Sequence, residues 1–576
     1  MKGKMSKISI PVVTTDVLIL GAGGAGLCAA LHAADAGKNI KILLVTKAII
    51  GKGGCSRMVQ GGYNVVLNPA DSFAKHFQDT LKGGQFINNQ DLTWELVTVA
   101  PQRIKEMETR YGCFFDRNPD GTIHQKPFAG QSFDRTVHKG DLTGIEIVSR
   151  LSEQVFRRDI EYLDEHRAVE LLWDKGGTRI VGALLLDVTR GEFLIAHART
   201  TLVATGGGPT MYKLFAPSLD KSADGIALCY RAGAEMVDME MVQFHPTGLI
   251  VKGSNTSGTL LEEGLRGAGA QLFNVLGERF MERYAPEVKE RATRDVVSRS
   301  SFMEITAGRG TPNGGVFIDA SVMGPNFVKK NFPGMVERCR DYGFDLAHER
   351  VEVSPTAHFF MGGARIDTRC LTDLDGLYVA GEDAGGVHGA NRLGGNGIAD
   401  STVFGGIAGD SMAHDVIARE LAPFDERQVE ELIKQMEAPF GREGVDLYPL
   451  RETLRLSNWE KLGIIREEKG LSEGLQIIQE LQEKMNRVGV AGGKACNISW
   501  NDWLNMRNLL DVSAIVGQSA LKRQESRGAH YRNDFPKKNN KEYLKNFFIK
   551  REKGETKIYE RPVVLNRLKP EDIGFE

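Results

Sequence analysis

Residues 378–400 read Tyr-Val-Ala-Gly-Glu-Asp-Ala-Gly-Gly-Val-His-Gly-Ala-Asn-Arg-Leu-Gly-Gly-Asn-Gly-Ile-Ala-Asp, and this stretch is the most informative part of the sequence. A predicted buried strand, Leu377 to Ala380, runs into glycines and the acidic Glu382, and Arg392 stands among small residues. Small residues let a backbone approach a large flat ligand closely. An arginine among them offers a fork of donors to a carboxylate or a phosphate. The stretch therefore predicts one wall of a ligand site.

A matching first half of such a site stands near the beginning of the chain. The predicted strand Val17 to Leu20 is followed by Gly21-Ala-Gly-Gly-Ala-Gly26, a helix and a second strand, Ile40 to Thr46. In such a βαβ unit the first glycine makes the turn, the second admits a pyrophosphate and the third allows close helix–strand packing. Thr46 and Lys47 stand where an acidic residue is usual, which weakens strict NAD recognition. Alone, the motif leaves NAD and FAD open.

Two later turns of the same kind favour FAD. The pattern predicts helices over Ser72 to about Tyr111 and over Gly144 to Arg157, then strands over Arg179 to Asp187 and Glu192 to Ala198. A further strand begins at Thr201 and enters a glycine turn. This turn and the one near Glu382 return to the same site, which suits a long cofactor held extended through the domain.

The chain of 576 residues exceeds one ordinary core, so we expect several domains. The expected fold class is α/β: a Rossmann-like FAD-binding domain with an inserted α+β capping domain and a C-terminal helical domain. The expected boundaries are 12–246 and 355–415 for the FAD-binding domain, 247–354 for the capping domain, 416–545 for the helical domain and 546–576 for a C-terminal tail, which we expect to lie over another surface.

Composition and charge exclude several function classes. A formal net charge of −2 gives no electrostatic footprint for nucleic acid. The seven cysteines form no Cys-x-x-Cys pair, so we predict no metal or iron–sulfur ligand set. No segment reaches the ~20 apolar residues that span a bilayer. We expect a cytoplasmic protein or a peripheral subunit on the inner face of the cell membrane.

Seven short motifs, spread over essentially the whole chain, carry a specific resemblance. They are Gln60-Gly-Gly62, Gln243-Phe-His-Pro-Thr247, Glu263-Gly-Leu-Arg-Gly267, Arg294-Asp-Val-Val-Ser-Arg299, His358-Phe-Phe-Met-Gly-Gly363, Gly389-Ala-Asn-Arg-Leu-Gly394 and Glu525-Ser-Arg-Gly-Ala-His-Tyr-Arg532. In this order, the motifs resemble those of the flavoprotein subunit of succinate dehydrogenase and fumarate reductase.

The resemblance implies roles for named residues. His245, His358 and Arg392 would clamp the two carboxylates of a C4 dicarboxylate, through charge-assisted bonds from arginine and protonated histidine. Arg294 would be the proton donor or acceptor, with Glu263 and Arg266 as its relay. The residues assigned to FAD are Gly21, Gly23, Gly24, Ala25, Gly26, Thr46, Lys47, Gly53, Gly54, Cys55, Ser56, Gln60, Gly61, Gly62, Thr205, Gly206, Asp224, Glu382, Arg392, Gly397 and Ile398.

Two positions depart from the family pattern. Most members attach FAD covalently through a histidine seven residues before Gly62, where this chain has Cys55. We therefore expect non-covalent FAD, as in the related L-aspartate oxidases, with a cysteinyl link as the alternative, and we expect the fumarate-reducing direction to be favoured. Glu262 stands where the family usually has threonine, and it would repel a dicarboxylate unless it is turned away or protonated.

The predicted function is that of an FAD-dependent fumarate reductase or succinate dehydrogenase flavoprotein subunit. Electrons would be exchanged with an iron–sulfur subunit, and a membrane-anchor subunit is a further partner that the resemblance allows. The alternative enzyme is an L-aspartate oxidase, or a flavoprotein oxidoreductase acting on a related dicarboxylate. From another class, a flavin-binding electron carrier without substrate chemistry is disfavoured, because it would need none of the residues proposed for the substrate.

Overall fold

The computed structural model describes residues 10–37, 39–216, 218–254 and 256–575. Its strands are β1 (Val12–Leu20), β2 (Ile42–Val45), β3 (Tyr63–Asn64), β4 (Gln125–Lys126), β5 (Thr136–Val137), β6 (Glu161–Leu163), β7 (His166–Trp173), β8 (Ile180–Asp187), β9 (Glu192–Val203), β10 (Met236–Val237), β11 (Val242–Leu249), β12 (Thr259–Leu260), β13 (Gln271–Phe273), β14 (Val316–Asp319), β15 (Arg350–Phe360), β16 (Gly363–Arg365), β17 (Leu377–Val379), β18 (Ala384–Gly385), β19 (Lys545–Glu552) and β20 (Glu555–Pro562).

The α-helices follow the same chain order. They are α1 (Gly24–Ala36), α2 (Phe73–Gly83), α3 (Gln90–Thr109), α4 (Thr143–Phe156), α5 (Asp224–Ala232), α6 (Glu263–Ala268), α7 (Met281–Tyr284), α8 (Arg294–Glu304), α9 (Pro325–Asn331), α10 (Pro333–Asp341), α11 (Asn396–Asp415), α12 (Glu426–Glu437), α13 (Leu447–Lys461), α14 (Glu468–Met485), α15 (Ile498–Lys522) and α16 (Asn540–Tyr543).

The central sheet has the strand order β6-β2-β1-β9-β8-β7, and β17 lies beside β9. Strands β2 and β9 run parallel to β1, and β17 runs parallel to β9. Leu20 pairs with both Val45 and Val203, so three of these strands end at the same level. Because the carboxyl ends of parallel strands share one edge, the turns that follow β1, β2, β9 and β17 meet there.

The predicted βαβ unit and the helices that follow it are confirmed, with small shifts at their ends. One expectation was wrong: the strands predicted over Glu192 to Ala198 and from Thr201 are one strand, β9. Thr200 and Thr201 are buried within it and pair with β1 and β17, so these polar residues continue the sheet instead of interrupting it.

The inserted region forms a second sheet, β12-β11-β15-β14-β13, with helices α6 to α10 beside it. It has its own apolar core, which includes Leu265, Leu272, Ile318 and Met335. The long strands β11 and β15 connect this sheet to the central domain, and they pair antiparallel with His245 opposite Thr356. The register shifts on both sides of His245, and such bulges turn a side chain away from the regular pleat.

The carboxyl-terminal part contains helices α12 to α15 and then a β-hairpin. Strands β19 and β20 extend the sheet β18-β16-β10, and Phe547 and Ile549 are buried. The segment expected to lie as a tail over another surface is therefore partly built into this chain, because apolar residues inside a polar sequence form the strand's buried face. The predicted fold class, with its inserted and C-terminal domains, is confirmed. Among the described residues, no helix is both long enough and apolar enough to cross a bilayer.

Candidate active site

A cavity runs along the edge where the parallel strands end. It is lined by the turns after β1, β2, β9 and β17 and by the amino ends of α1 and α11. All residues predicted to bind the cofactor line it, with the exception of Gly26. Gly26 instead lies against the turn, where a Cβ atom would stand 1.8 Å from the carbonyl oxygen of Gly21. Its role is to let α1 approach β1.

One part of this cavity carries a buried charge cluster. Lys47 donates to Asp224 at 2.6 Å, and Arg167 and Asn508 donate to the same carboxylate at 2.8 Å and 2.6 Å. Burial opposes ionisation of Asp224, but the charges of Lys47 and Arg167 outweigh it and hold the pKa far below its usual range. Arg167, on β7, was missed by sequence reasoning, because no motif connects it with a carboxylate 57 residues away.

A second ion pair joins two of the predicted turns. Lys221 donates to Glu382 at 2.5 Å, and the other carboxylate oxygen of Glu382 accepts from the backbone N–H of Phe360 at 3.1 Å. There is no room for a side chain at Gly207, because a Cβ atom there would lie 2.3 Å from Glu382 Oε1. Lys221 was also missed, because its partner lies 161 residues away. The pair fixes the Glu382 carboxylate beside the glycine turns.

Cys55 lines the same cavity, and its Sγ accepts a hydrogen bond from the backbone N–H of Ser218 at 3.3 Å. Burial raises the pKa of the thiol, and Glu382 and Asp220 add to this effect, while Lys221 opposes it. Since the thiolate is the nucleophilic form, the side chain is poorly prepared for a covalent bond.

His245, His358, Arg294 and Arg392 meet in another part of the cavity. The rings of His245 on β11 and His358 on β15 have centroids 5.5 Å apart. The Arg392 guanidinium stacks over Phe359, with its carbon 4.4 Å from the ring centroid. Four residues that lie far apart in the sequence thus face one space, as the family resemblance implies.

Gln243 joins the two arginines. Its Oε1 accepts from Arg294 Nη1 and from Arg392 Nη2, each at 3.1 Å, and its Nε2 donates to the Arg392 carbonyl at 2.8 Å. The sequence motif contained Gln243, but no role was predicted for it. Its amide is suited to this position because it accepts from two cations and carries no charge of its own.

The surroundings of the two histidines oppose the protonated form expected for carboxylate binding. Burial lowers the pKa of both His245 and His358 well below its ordinary value, and the nearby charges of Arg294 and Arg392 lower it further. Both imidazoles are therefore neutral at pH 7. A neutral imidazole still donates one hydrogen bond, while Arg392 and Arg294 supply the positive charge for an anion.

The three predicted relay residues are in contact. Arg294 donates to Glu263 Oε2 from Nε at 2.8 Å and from Nη2 at 2.5 Å, and Arg266 Nη2 lies 3.5 Å from Glu263 Oε1. Burial opposes the ionisation of Glu263, but Arg294 and Arg266 outweigh it and lower the pKa. Arg266 does not line the cavity; its Nη1 donates to the carbonyl of Glu290 at 2.6 Å. The chain of contacts therefore leads from the cavity into the inserted domain.

The residues at the strand edge fit FAD. Gly23, the residue before α1, offers no capping side chain, and the first turn of the helix has no acidic residue. The Gly24 N–H donates to Ser56 Oγ at 3.0 Å, and this uncharged amino end suits a pyrophosphate. The amino end of α11, which also lacks a side-chain cap, meets the same cavity at Gly397 and Ile398. Gly21 to Ala25 would hold the phosphates, and Asp224 and Glu382 would contact the sugars. When bound, FAD supplies two-electron hydride chemistry.

Comparison with known proteins supports this interpretation. A family model described as an FAD binding domain matches residues 16–398, and one described as the fumarate reductase flavoprotein C-terminus matches residues 451–574. An uncharacterised FAD-dependent oxidoreductase of Methanocaldococcus jannaschii is 43% identical over 94% of this chain and 97% of its own length. A fumarate reductase subunit of Methanothermobacter marburgensis, whose name specifies CoM and CoB, is 40% identical over 90% of this chain and 94% of its own.

A solved structure of similar sequence has the same architecture. A variant of Escherichia coli quinol fumarate reductase superposes with a TM-score of 0.92 at 30% identity, covering 97% of this chain and 98% of that one. Both the family models and the relatives extend across the cofactor cavity and the C-terminal helices. The chain belongs to the fumarate reductase and succinate dehydrogenase flavoprotein family of FAD-dependent oxidoreductases.

Proposed function

We propose that this protein interconverts fumarate and succinate as the flavoprotein subunit of a larger complex. The observation that carries the proposal is the position of Arg294. Its guanidinium lines the cavity next to two neutral histidines and Arg392, and behind it stands the buried Glu263. This arrangement offers cationic donors for two carboxylates and a proton donor between them.

Different residues of the chain bind the substrate and transfer the proton in the proposed reaction. His245, His358 and Arg392 bind and orient the carboxylates, and burial of the cavity excludes water that would compete for their hydrogen bonds. In the reducing direction, Arg294 gives a proton to one carbon of the double bond, and the hydride chemistry at the other carbon is what FAD would supply when bound. A guanidinium releases a proton reluctantly, so the ionised Glu263 takes a proton from Arg266 and passes it to Arg294 through their contacts. Arg266 regains its proton from solvent through the inserted domain, so each turnover consumes one solvent proton.

The proposed cofactor state is non-covalent FAD, and the proposed electron partner is an iron–sulfur subunit. Names of relatives support a multi-subunit complex, since several of them are called subunits of fumarate reductase or succinate dehydrogenase. The same proposal includes a membrane-anchor subunit, with a location at the inner face of the membrane. Because the name of one relative specifies CoM and CoB, these two compounds are candidates to test together with fumarate in assays.

The decisive experiment compares Arg294→Met with Arg340→Met, a control at an exposed position of the same inserted domain. We expect Arg294→Met to retain FAD and lose about 10³-fold in fumarate reduction with a reduced viologen dye, because the proton donor is gone. Arg340→Met should match the wild type. Wild-type protein that turns over neither fumarate nor succinate would refute the function, and an Arg294→Met variant within tenfold of wild type would refute the role of Arg294.

A second candidate function is the oxidation of L-aspartate or a related dicarboxylate. The observation that favours it is an acidic side chain, Glu262, in the cavity, where it could accept from an amino group. Hydrogen peroxide formed on adding L-aspartate in air, without turnover of fumarate, would replace the first proposal with this one.

A further inference from the structure

Glu262 is an acidic residue of the cavity that the proposed chemistry does not use. It lies between β12 and α6, immediately before the relay residue Glu263, and lines the cavity together with Arg294 and His245. Its side chain is 1% exposed. A carboxylate in a cavity proposed to bind dianions needs an explanation, because like charges repel.

The two oxygens of this carboxylate have different surroundings. Oε1 accepts from Lys126 Nζ at 2.5 Å. Oε2 is buried, and within the described part of the chain it has no hydrogen-bond partner. A buried polar atom left unpaired is unfavourable, because it has lost its hydrogen bonds to water. Lys126 is on β4, in a small sheet outside the inserted domain, so the ion pair fixes the side chain from one side and leaves Oε2 for another partner.

The charges that face Glu262 favour its neutral form. Burial raises the pKa of this carboxyl, Asp141 and Glu263 raise it further, and Lys126 opposes them. Asp141 precedes α4 and Glu263 begins α6, so acidic groups approach from two elements and the lysine from a third. A bound dianion would add more negative charge on the cavity side. Each of these effects, except that of Lys126, makes proton uptake easier.

We propose that Glu262 is a substrate-contacting residue that takes up a proton when the dicarboxylate binds, and that its Oε2 then donates a hydrogen bond to a substrate carboxylate. The inference rests on the proposed function, since it assumes a dicarboxylate substrate. The proton comes from solvent and stays on Oε2 while the dianion is bound. Lys126 holds Oε1 and thereby orients the carboxyl group. Substrate binding is thus coupled to pH at this end of the site.

Calorimetric binding of fumarate to the oxidised, FAD-loaded protein tests the proposal without turnover. Titration in buffers of different ionisation enthalpy counts the protons taken up. Above the pH at which free Glu262 titrates, the wild type should take up about one proton per fumarate, and its affinity should fall about tenfold for each pH unit. Glu262→Gln keeps a donor amide in nearly the same shape, so it should take up none and bind with an affinity that does not change with pH.

Two further variants make the outcome specific. In Lys126→Met the carboxyl loses its cation, so the pH dependence of fumarate affinity should move to higher pH. Glu278→Gln changes an acid of the inserted domain that is 48% exposed, and its proton uptake should equal that of the wild type. The absorbance of bound FAD shows whether each variant is folded. If Glu262→Gln does not fold, the pH dependence of fumarate affinity in Lys126→Met still tests whether Glu262 takes up the proton.

The contrary outcomes are distinct. Equal proton uptake in wild type and Glu262→Gln, no uptake in either, or a shift to lower pH in Lys126→Met would overturn the proposal and leave the proposed function intact. Tighter binding of L-aspartate than of fumarate, lost in Glu262→Gln, would show that Oε2 accepts instead of donating. Wild-type protein that does not bind fumarate at any pH would refute the proposed function, and the inference with it.

Discussion

At Cys55, burial decides which chemistry a side chain can perform. The thiol stands in the cofactor cavity, close enough to flavin-binding turns to suggest a covalent link, yet its pKa is raised because burial disfavours the thiolate. The neighbouring Lys221 does not reverse the shift, since that lysine is already paired with Glu382. The residue is therefore better explained as a packing residue of the cavity than as an attachment point.

This explanation predicts that FAD is released when the protein is denatured. Acid precipitation should leave all of the flavin in the supernatant, and Cys55→Ser should bind as much FAD as the wild type, because neither depends on a thioether. The measurement is the flavin absorbance of supernatant and pellet. Flavin fluorescence that stays with the wild-type polypeptide in a denaturing gel, and disappears in Cys55→Ser, would contradict the prediction.

Among the secondary-structure elements, the turn between β1 and α1 contains one glycine that folding requires and another that cofactor binding requires. Gly26 lies on the protein side, where a Cβ atom would stand 1.8 Å from the Gly21 carbonyl oxygen. Gly23 lies on the cavity side, with extended backbone angles that any residue adopts, and its added Cβ would meet only Ser56 Oγ at 3.3 Å. Both are glycines of one motif, but different contacts require them.

The matched pair Gly26→Ala and Gly23→Ala should show this division. Gly26→Ala pushes α1 from the sheet and should destabilise the FAD-free protein by about 3 kcal/mol, the upper range for overpacking a core. Gly23→Ala should leave the thermal midpoint of the FAD-free protein within a few degrees and weaken FAD binding instead. Thermal unfolding followed by circular dichroism, together with FAD titration, distinguishes them. Equal midpoints for both variants would refute the assignment.

At the scale of the whole molecule, a buried ion network ties the C-terminal helices to the central domain. Arg523, which follows α15, is fully buried and donates to Glu240 at 2.6 Å and to Glu525 at 3.1 Å, and lies 3.3 Å from Asp238. Burial raises the pKa of Asp238 to about 7, and Glu240 adds to it, while Arg523 opposes the shift. The Arg523 guanidinium therefore pairs with three acidic side chains, two from the segment before β11 and one from the segment after α15.

Removing Arg523 should weaken the whole fold, and more so at alkaline pH. Arg523→Met leaves the buried Asp238 and Glu240 without this cation, while Glu525 keeps Arg527, and should cost about 3–5 kcal/mol. Because the folded-state pKa of Asp238 lies above its unfolded value, stability falls as pH rises through about 7, and loss of Arg523 deepens this fall. Thermal midpoints at pH 6 and pH 8 measure both effects. The control Lys557→Met breaks an exposed pair with Glu552, which solvent screens, and should leave the thermal midpoint unchanged at both pH values.

A structural feature could be predicted from the sequence when it depends only on residues that are close together in the chain. Glycine turns such as Gly21 to Gly26 are readable because the backbone conformation and the close approach they allow depend on a few neighbouring residues. Partners across the chain are not readable in the same way. Lys126, Lys221, Arg167 and Gln243 acquire their roles from contacts with residues 51 to 161 positions away, and nothing near them in the sequence marks those contacts.

Spacing and residue type along the chain were enough to predict the fold class, the family resemblance and many of the residues that line the cavity, but not Arg167 or Lys221. Tertiary structure alone decided the state of those residues. It made His245 and His358 neutral, gave Cys55 a raised pKa, and held Glu262 by Lys126, with the other carboxylate oxygen unpaired among the residues that the structure describes. Protonation depends on burial and on charges brought together from distant segments, and these arise only when the chain is folded.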